Sequence, residues 1–314
     1  MALAPHATET TGSAITVHPL SIHTGAEIRG VDLTRSLSPE QVQDIQAALI
    51  KWKVIFFREQ FLNHQQHIDF ARQFGDLTPA HVVFGGHDEY PEIYSIAKFR
   101  AANSRVGEPL LRPWSGWHAD ITAAINPPSA SILRGDIVPP YGGDTQWTNL
   151  AAAYNALSPT LRAFVDGLRG LHRFSAPTGE QSVYDDYISR NTLISHHPLV
   201  RVHPVSGERV LYVSPSFLKS IVGLKPRESE LLLELLWEHA VRPEFTVRFK
   251  WEPGSIAFWD NRSTAHLAPR DIFDVDFDRQ FWRVTLMGDI PVGVDGVPSE
   301  SIEGAPIAPQ VPVS

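Results

Sequence analysis

The 314-residue chain contains no cysteine. Disulfides, iron–sulfur clusters, thiolate-bound zinc sites and cysteine nucleophiles are therefore all excluded. The chain also lacks an uninterrupted apolar run of about 18 residues, the length that a membrane-spanning helix needs. Its first residues contain neither the basic nor the apolar region of a signal peptide. These absences predict a cytoplasmic protein without a membrane contact.

Clusters of lysine and arginine are also missing, and the formal net charge is −8. A surface that binds nucleic acid needs such clusters to neutralise phosphates, so no nucleic-acid partner is expected. Hydrophobic residues make up 43% of the chain, which is enough for a packed core. We expect a single domain over residues 15–297, with poorly ordered tails at residues 1–14 and 298–314.

Helix-start signals occur near the N-terminus of this domain. Ser38, Pro39 and Gln41 combine an N-cap serine, a proline at the first helical position and a glutamine at N3, so a helix should begin there. The run Val54–Phe57 is typical of a short buried strand. A second helix is predicted from Asn63 to Phe74, because a glycine follows it.

Farther along the chain, short β-prone runs alternate with turns and helices. The runs Leu199–His203 and Arg209–Val213 flank Pro204–Gly207, which predicts a hairpin. This pattern is typical of a mainly β protein with flanking helices, and it indicates a jelly-roll core. The other predicted strands are Ser129–Arg134, Phe245–Trp251, Ser255–Trp259 and Trp282–Met287, and the other predicted helices are Asn149–Ala156, Pro159–Leu168 and Pro226–Ala240.

Two of the 14 histidines occur in His-x-Asp triplets. His67 and Asp69 fall within the second predicted helix, where side chains two residues apart point about 200° from each other and cannot share one ion. His118 and Asp120 follow Trp117 in a predicted extended stretch, where such residues face the same side. His118 and Asp120 are therefore candidate metal ligands.

A distant histidine has to complete the ligand set. His266 closes the run Trp259–His266 directly after a predicted strand, and Arg279 and Arg283 follow it. This context favours His266 as the third ligand. Two histidines and one carboxylate with open positions suit ferrous iron, whereas closed tetrahedral sets favour structural zinc. The other candidates for the third ligand are His172, His196, His197, His203 and His239.

Three motifs with fixed spacing carry a family resemblance. They are His118-x-Asp120, Trp259-Asp260-Asn261-Arg262-x-x-x-His266, and Arg279-x-x-x-Arg283 leading into Gly288-Asp289-x-Pro291. Further marks are Gly25-Ala26-Glu27-Ile28, Gly30-Val31-Asp32-Leu33, Phe74-Gly75-Asp76-Leu77, Pro127-Pro128 and Gly142-Gly143-Asp144-Thr145-x-Trp147. In these motifs, over about residues 17–291, the sequence resembles the taurine/alkylsulfate dioxygenase family of Fe(II)/2-oxoglutarate-dependent oxygenases.

The resemblance implies a double-stranded β-helix with a metal site at its open end. By the family pattern, His118, Asp120 and His266 bind Fe(II), 2-oxoglutarate is the co-substrate and O2 is the oxidant. Arg279 would bind the far carboxylate of 2-oxoglutarate, with the Thr145 hydroxyl as a second donor. The expected chemistry is oxidation of a substrate C–H bond.

The resemblance also marks candidate substrate-binding residues. Arg283 would contact the co-substrate or an anionic group of the substrate, and His81 would bind the substrate anion. Where taurine-specific members carry a tyrosine and an asparagine, this sequence has Phe84 and Trp114. Apolar bulk here disfavours taurine and predicts a small, anionic and largely apolar substrate. Val106–Pro113, rich in Gly, Arg and Pro, is predicted to be a mobile lid.

The main hypothesis is a dioxygenase of secondary-metabolite biosynthesis that acts on a small organic acid by hydroxylation, desaturation or epoxidation. The alternative is an alkylsulfatase-type dioxygenase that cleaves alkyl sulfates to aldehyde and sulfate. A zinc hydrolase can also use two histidines and a carboxylate, but it leaves Thr145, Arg279 and Arg283 unexplained. A non-catalytic jelly-roll binding module would need none of these residues. The resemblance further implies a homo-oligomer.

Overall fold

A computed structural model describes residues 9–10, 12–13, 15–81, 86–97, 112–174 and 191–311. Two sequence predictions fall on other residues. Phe84 and most of the predicted lid at Val106–Pro113 lie outside the described residues. Their predicted roles therefore have no structural counterpart below.

The helices begin where their capping residues predict. Helix α1 (Pro39–Trp52) follows Ser38, whose Oγ accepts a hydrogen bond from the backbone N–H of Gln41, and the Gln41 side chain accepts one from the Ser38 N–H in return. Helix α2 (His64–Arg72) is capped in the same way by Asn63. In the part of the chain that the structure describes, no helix is long and apolar enough to cross a membrane. The remaining α-helices are α3 (Leu150–Asn155), α4 (Pro159–Val165) and α5 (Pro226–Ala240).

Strands make up the largest part of the regular structure, so the protein is mainly β. They are β1 (Glu9–Thr10), β2 (Thr16–Pro19), β3 (Ala26–Arg29), β4 (Val54–Phe57), β5 (Tyr94–Ala97), β6 (Ala130–Ile137), β7 (Thr145–Asn149), β8 (Arg169–Phe174), β9 (Leu193–Pro198), β10 (Val200–Val202), β11 (Arg209–Leu211), β12 (Leu218–Ile221), β13 (Thr246–Phe249), β14 (Ile256–Asp260), β15 (Thr264–Leu267), β16 (Gln280–Leu286), β17 (Val292–Gly293) and β18 (Glu300–Glu303).

The largest sheet of the described residues has the strand order β1-β2-β3-β4-β14-β6-β16-β5. Strand β4 lies inside it and is buried on both faces. Ile55 and Phe57 pack into the core beneath α1 and α2, whereas Val54 and Phe56 pack on the opposite face with Trp147 of β7. The sheet is therefore covered by helices on one side and by other strands on the other, which explains the uninterrupted apolar sequence of β4.

The smaller sheets have the orders β13-β7-β15, β12-β8-β9-β18 and β11-β10-β17. Strand β7 pairs with β15 in antiparallel register, so that Trp147 lies opposite His266. A separate apolar cluster joins α3 and α5 to β11, with Leu150, Leu211 and Leu233 at its centre. This packing sets β15, and the histidine that it carries, at the edge of the core.

The sequence predicted the four middle strands of the large sheet, β4, β14, β6 and β16, and also β10, β11 and β13, but it missed the other strands, among them β7 and β15. The hairpin at Pro204–Gly207 is confirmed, because β10 and β11 pair across it. Strands β8 and β9 were not predicted, since their histidine- and arginine-rich sequences show no simple alternation. The C-terminal segment differs from the expected poor order: Glu300–Glu303 forms strand β18 on the edge of β9.

Two of the quoted motifs meet at one close backbone contact. A Cβ atom on Gly288 would lie 1.7 Å from the carbonyl oxygen of Pro127, a distance that no side chain can occupy. Glycine is therefore required where the end of β16 passes the Pro127-Pro128 segment. Nearby, the Arg201 guanidinium pairs with Asp289 at 2.7 Å. The Gly288-Asp289 motif thus has a structural role in joining β16 to β10.

Candidate active site

His118, Asp120 and His266 converge on one point in the structure. Each offers one ligand atom, and these three atoms all lie within 4.8 Å of one another. His118 and His266 face each other across an antiparallel β-bridge, with backbone N–H to carbonyl distances of 2.9 and 2.7 Å. The pairing of β15 with β7 therefore fixes one histidine, and the bridge fixes the other. We call these three residues the triad.

The segment after His118 is a turn rather than the extended stretch that the sequence predicts. Only His118 makes the bridge, and the turn begins at Asp120. Ile121 has a φ of +46°, which is unfavourable for a β-branched residue. The Ala124 N–H donates to the Ile121 carbonyl at 3.0 Å and closes this turn. Strained backbone beside a candidate ligand is typical of a functional site.

Asp120 is buried, and two side chains hold its carboxylate. Arg283 Nη1 lies 2.6 Å from Oδ1, and Ser131 Oγ donates to Oδ2 at 2.6 Å. Burial alone raises the pKa of Asp120, but the positive charge of Arg283, the two nearby histidines and the Ser131 hydrogen bond together hold it below its usual range. The group is therefore a carboxylate with fixed orientation at neutral pH.

Each of the two histidines has one ring nitrogen that can bind a metal ion. His118 Nδ1 lies 3.0 Å from the Gly116 carbonyl, an acceptor only, so this nitrogen carries a proton and Nε2 is the ring nitrogen that remains for a metal ion. Burial, followed by the neighbouring His118, lowers the pKa of His266 well below its usual value. The buried Nδ1 of His266 has no hydrogen-bond partner among the residues that the structure describes. Two imidazoles and one carboxylate fit a ferrous ion.

A second layer of polar side chains supports Asp120. Asn261 Nδ2 donates to Ser131 Oγ at 2.8 Å, and the indole N–H of Trp259 donates to Asn261 Oδ1 at 2.8 Å. The Trp259 ring also lies 4.9 Å from the ring of His266. The Trp259-Asp260-Asn261 motif therefore orients two members of the triad. Sequence reasoning missed Ser131, which is an ordinary strand residue with no local signal.

The rejected triplet is confirmed to be unsuitable for sharing one ion. His67 is fully buried in α2, while Asp69 on the same helix bonds to Gln65 at the surface. Among the other candidates, His203 Nε2 lies 2.9 Å from Asp260, and His239 Nε2 bonds to the Ala153 carbonyl. The described residues contain no other group of three or more His, Cys, Asp or Glu that could hold a metal ion.

Thr145 and Arg279 lie around the Gly142-Gly143 turn. Trp251 Nε1 donates to Thr145 Oγ1 at 3.0 Å, and the Arg279 guanidinium lies 3.9 Å above the ring of Phe281. Arg279 Nε donates to the Gly143 carbonyl at 3.4 Å. A Cβ on Gly143, whose φ is +66°, would lie 3.2 Å from Arg279 Cδ, so glycine leaves room for the guanidinium.

Arg279 is 7% exposed and forms no ion pair with any carboxylate among the described residues. Burial lowers its pKa to about 10, which leaves the guanidinium charged at neutral pH. A buried cation without a paired carboxylate is costly, and an anionic ligand would offset that cost. This side chain therefore suits the carboxylate of a small dicarboxylic acid.

A small cavity, the Asp120 cavity, lies beside the triad. The Arg283 guanidinium lies 5.2 Å from the centre of the Tyr94 ring, and the His81 ring is 4.9 Å from the same ring. Arg283 uses Nη1 on Asp120, whereas its buried Nε has no hydrogen-bond partner among the described residues. The cavity has a volume of about 10 Å³, and its walls include His81, Asp120, Ile121, Arg283, Thr285 and Ile307. The cavity thus combines the Arg283–Asp120 ion pair and the His81 ring with apolar groups.

Aromatic and aliphatic side chains extend this apolar surface past His118. Phe217 lies 6.5 Å from the His118 ring, and it stacks on Phe174 at 5.9 Å. Phe217 also packs in one cluster with Ile121 and Ile307. The sequence did not identify these residues, because they lie on separate strands and loops without a shared pattern.

Trp114, a candidate substrate-binding residue, lies beside helix α5. Its ring packs against Trp237 of α5 at 6.1 Å, and Arg112 lies 5.7 Å above it. Trp114 is buried, but it is not part of the Asp120 cavity. The indole therefore anchors the start of the segment 112–117 on α5.

Comparison with known proteins agrees with this geometry. The model of the taurine catabolism dioxygenase TauD, TfdA family matches residues 16–285. An alpha-ketoglutarate-dependent sulfate ester dioxygenase of Pseudomonas putida is 38% identical over 306 residues, which cover 94% of this chain and 95% of that protein. An alkylsulfatase of Acinetobacter baylyi is 35% identical over 283 residues, which cover 87% of this chain and 85% of that protein.

A solved structure is more similar still. The crystal structure of a taurine dioxygenase from Burkholderia xenovorans superimposes with a TM-score of 0.83 and 65% sequence identity, covering 93% of this chain and 96% of that one. The described fold, the co-located triad and these matches agree. The chain belongs to the TauD/TfdA family and is a 2-oxoglutarate-dependent dioxygenase that uses Fe(II), 2-oxoglutarate and O2.

Proposed function

We propose that this enzyme oxidises a C–H bond of a small organic anion with an apolar hydrocarbon part, and that an alkyl sulfate ester fits the site best. The observation that carries the proposal is the Asp120 cavity, which sets the unused Nε of Arg283 and the ring of His81 beside apolar walls. The sulfate ester dioxygenase and the alkylsulfatase among the relatives support the same substrate class.

The triad would hold the metal. His118 and His266 each offer one ring nitrogen, and Asp120 offers a carboxylate whose second oxygen is engaged by Ser131. Bound ferrous iron supplies the oxidation, in which O2 is activated while 2-oxoglutarate is converted to succinate and CO2. Arg283 balances the buried charge of Asp120 and so keeps the carboxylate in one orientation.

Arg279 would bind the distal carboxylate of 2-oxoglutarate, with Thr145 as a second donor. The guanidinium is buried, flat against Phe281, and held by the Gly143 carbonyl, so little side-chain freedom remains to be lost on binding. Trp251 touches both Thr145 and Phe281 and ties the two donors into one wall.

Replacing Arg279 with glutamine is expected to weaken 2-oxoglutarate binding about 10- to 100-fold, the cost of a charge-assisted contact to a carboxylate. Isothermal calorimetry under anaerobic conditions measures this affinity directly. Arg248→Gln is the matched control, because Arg248 lies in the same region but is half exposed and paired with Asp144. Equal affinity in the two variants would contradict the assignment.

If the substrate is an alkyl sulfate ester, hydroxylation occurs at the carbon that bears the ester oxygen. The hydroxylated product then collapses to an aldehyde and sulfate, and each turnover consumes one O2 and one 2-oxoglutarate. Arg283 and His81 would hold the sulfate, and the apolar side chains around Phe217 would receive the alkyl chain. A carboxylate such as a phenoxyacetate is the main rival for the same site.

The purified enzyme, supplied with Fe(II), ascorbate and 2-oxoglutarate, is expected to release sulfate and succinate in equal amounts from n-hexyl sulfate. Ion chromatography measures both products. Phenoxyacetate and taurine are the comparison substrates. Turnover of either comparison substrate with no sulfate release from any alkyl sulfate would refute the sulfate-ester assignment, and leave the reaction class standing.

Replacing His81 tests the anion site without changing Asp120. His81→Gln is expected to raise the KM for the organic anion about tenfold or more, while the KM for 2-oxoglutarate stays unchanged. His87→Gln is the matched control, because His87 lies six residues farther along the chain and contacts Tyr90 and Trp282. An unchanged substrate KM in His81→Gln would remove His81 from the anion site.

The remaining parts of the proposal concern organisation. We infer a double-stranded β-helix core within a single domain over residues 15–297, because sheet β13-β7-β15 packs on the large sheet and the triad lies between them. A cytoplasmic location and a homo-oligomer remain predictions.

A further inference from the structure

We propose that the C-terminal arm, residues 298–311, forms a wall of the substrate site, and that Ile307 is a specificity-determining residue for the organic anion. The arm lies beyond residue 285, where the match to the family model ends. This inference rests on the proposed function, because it concerns the same Asp120 cavity.

The arm is attached to the protein at several points along its length. Its first part, β18, pairs with β9 in antiparallel register. Farther on, the Asn126 side chain makes two hydrogen bonds with the backbone of Ile307: Nδ2 donates to the carbonyl at 2.9 Å, and Oδ1 accepts from the N–H at 2.8 Å. Last, the Gln310 N–H donates to the Leu77 carbonyl at 2.8 Å.

These attachments connect the segment that carries the metal ligand Asp120 with the segment that carries the anion-binding candidate His81. Leu77 lies four residues before His81, and Asn126 lies six residues after Asp120. The arm therefore spans from the turn after the metal ligand to the loop that bears His81. At its base, His197 lies 2.7 Å from Ser299 Oγ through Nδ1.

The same histidine also reaches the turn beside the triad. His197 Nε2 lies 3.1 Å from the Ala124 carbonyl, and Ser195 Oγ donates to the Ala123 carbonyl at 2.9 Å. Both histidine and serine are buried. Strand β9 thus contacts both the turn and the arm. It therefore fixes the position of the arm relative to the turn.

The exposed fractions of the arm's side chains indicate a role at the cavity rather than a general contribution to stability. Ile307 is the one buried residue of the arm, at 7% exposure, whereas Ile302 is 49% exposed and Val311 is 74% exposed. An arm that served only to extend the core would bury more of its apolar side chains. Its single buried side chain packs on Ile121 and lines the cavity that contains Arg283.

An apolar wall at this point has a direct effect on anion binding. Ile307 excludes water from the cavity, and a charge pair is stronger where the surroundings are less polar. The side chain also limits the volume available beside Arg283, so its size selects among head groups and the carbons next to them. The arm is thus expected to act on substrate binding and to leave the metal and 2-oxoglutarate sites unchanged.

The test compares Ile307→Ala with Ile302→Ala, which removes an equal side chain from the exposed part of the same arm. Anaerobic calorimetry measures the Kd of n-hexyl sulfate and of phenoxyacetate in the presence of metal and 2-oxoglutarate. Ile307→Ala is expected to raise the Kd of the bound anion about tenfold or more, with unchanged 2-oxoglutarate affinity. Ile302→Ala should match the wild type.

Asn126→Ala is a second variant that keeps Ile307 but removes both of its backbone hydrogen bonds. It should weaken anion binding in the same direction, and melting temperatures verify that each variant is folded. If the wild type binds an anion and Ile307→Ala binds it within twofold as tightly, the arm proposal alone is overturned. If the wild type binds 2-oxoglutarate but neither anion, the proposed substrate class fails and the arm proposal fails with it.

Discussion

Asp120→Asn is expected to lower metal affinity by at least about 100-fold and to reduce turnover below detection. Loss of a residue that merely orients a ligand already costs about 10- to 100-fold in metal affinity, so loss of a ligand carboxylate should cost more. The amide is neutral and cannot replace the charge that a divalent ion needs. Arg283 would also lose the negative charge that lies 2.6 Å from it and balances its own, and it would then repel the ion.

Asp69→Asn is the matched control, because Asp69 ends the other His-x-Asp triplet but lies on the surface of α2. Metal affinity is measured by titration with Fe(II) or Mn(II) under anaerobic conditions, and turnover by succinate release. Asp69→Asn should match the wild type in both. Wild-type metal affinity in Asp120→Asn would show that the ion binds elsewhere and that the triad is not the metal site.

A folded but metal-free Asp120→Asn protein has to be distinguished from an unfolded one. The circular dichroism spectrum and the affinity for a ligand of the Arg279 site are suitable checks. Asp120→Glu adds information, because it keeps the charge but moves the carboxylate by one methylene. We expect this variant to bind metal more tightly than Asp120→Asn while remaining far less active than the wild type.

Local signals were sufficient to predict helices α1 to α5 and the four middle strands of the large sheet. The capping boxes at Ser38 and Asn63 depend on residues three positions apart, and the buried strand Val54–Phe57 is apolar throughout. Such features depend only on residues within a short segment, so they can be recognised without knowledge of the rest of the chain. Helix α5 was predicted with the bounds that the structure has, Pro226–Ala240.

The site was predictable only in part, because contacts between distant segments bring some of its residues together. His118 and Asp120 are close in sequence, and the arginine-bearing context pointed to His266. The turn at Ile121 was not predictable, because its positive φ depends on bonds from distant strands rather than on its own side chain. Ile307 reaches the cavity over a long sequence separation through a polar pair with Asn126, which no hydrophobic pattern signals.

Asp260→Asn is expected to destabilise the protein by about 3–5 kcal/mol, the usual cost of removing one partner from a buried ion pair. Asp260 is fully buried at the end of β14. Arg262 contacts both of its carboxylate oxygens, at 2.9 and 2.6 Å, and His203 Nε2 lies 2.9 Å from Oδ2. The carboxylate therefore joins the large sheet to the β10–β11 hairpin, and the amide leaves a buried guanidinium without its counter-charge.

The stabilising effect of the Asp260 carboxylate is expected to depend on pH. Burial alone raises the pKa of Asp260, but the charge of Arg262 and the bonds from His203 and Arg262 hold it below its usual range. The carboxyl of the unfolded chain titrates near pH 3.9, so the folded state binds its proton less readily than the unfolded state does. The stabilising contribution is therefore fully present above about pH 4 and is lost as the pH falls below that value.

Urea unfolding of wild type and Asp260→Asn at several pH values measures both effects. The difference in free energy of unfolding should be constant from about pH 5 to pH 7 and should shrink progressively as the pH falls below about 4, because the unfolded wild-type chain then binds a proton at Asp260 that the folded protein does not bind. Asp69→Asn serves again as the exposed control and should follow the wild type throughout. A difference that persists undiminished at low pH would mean that Asp260 stabilises the fold by packing and hydrogen bonding rather than by its charge.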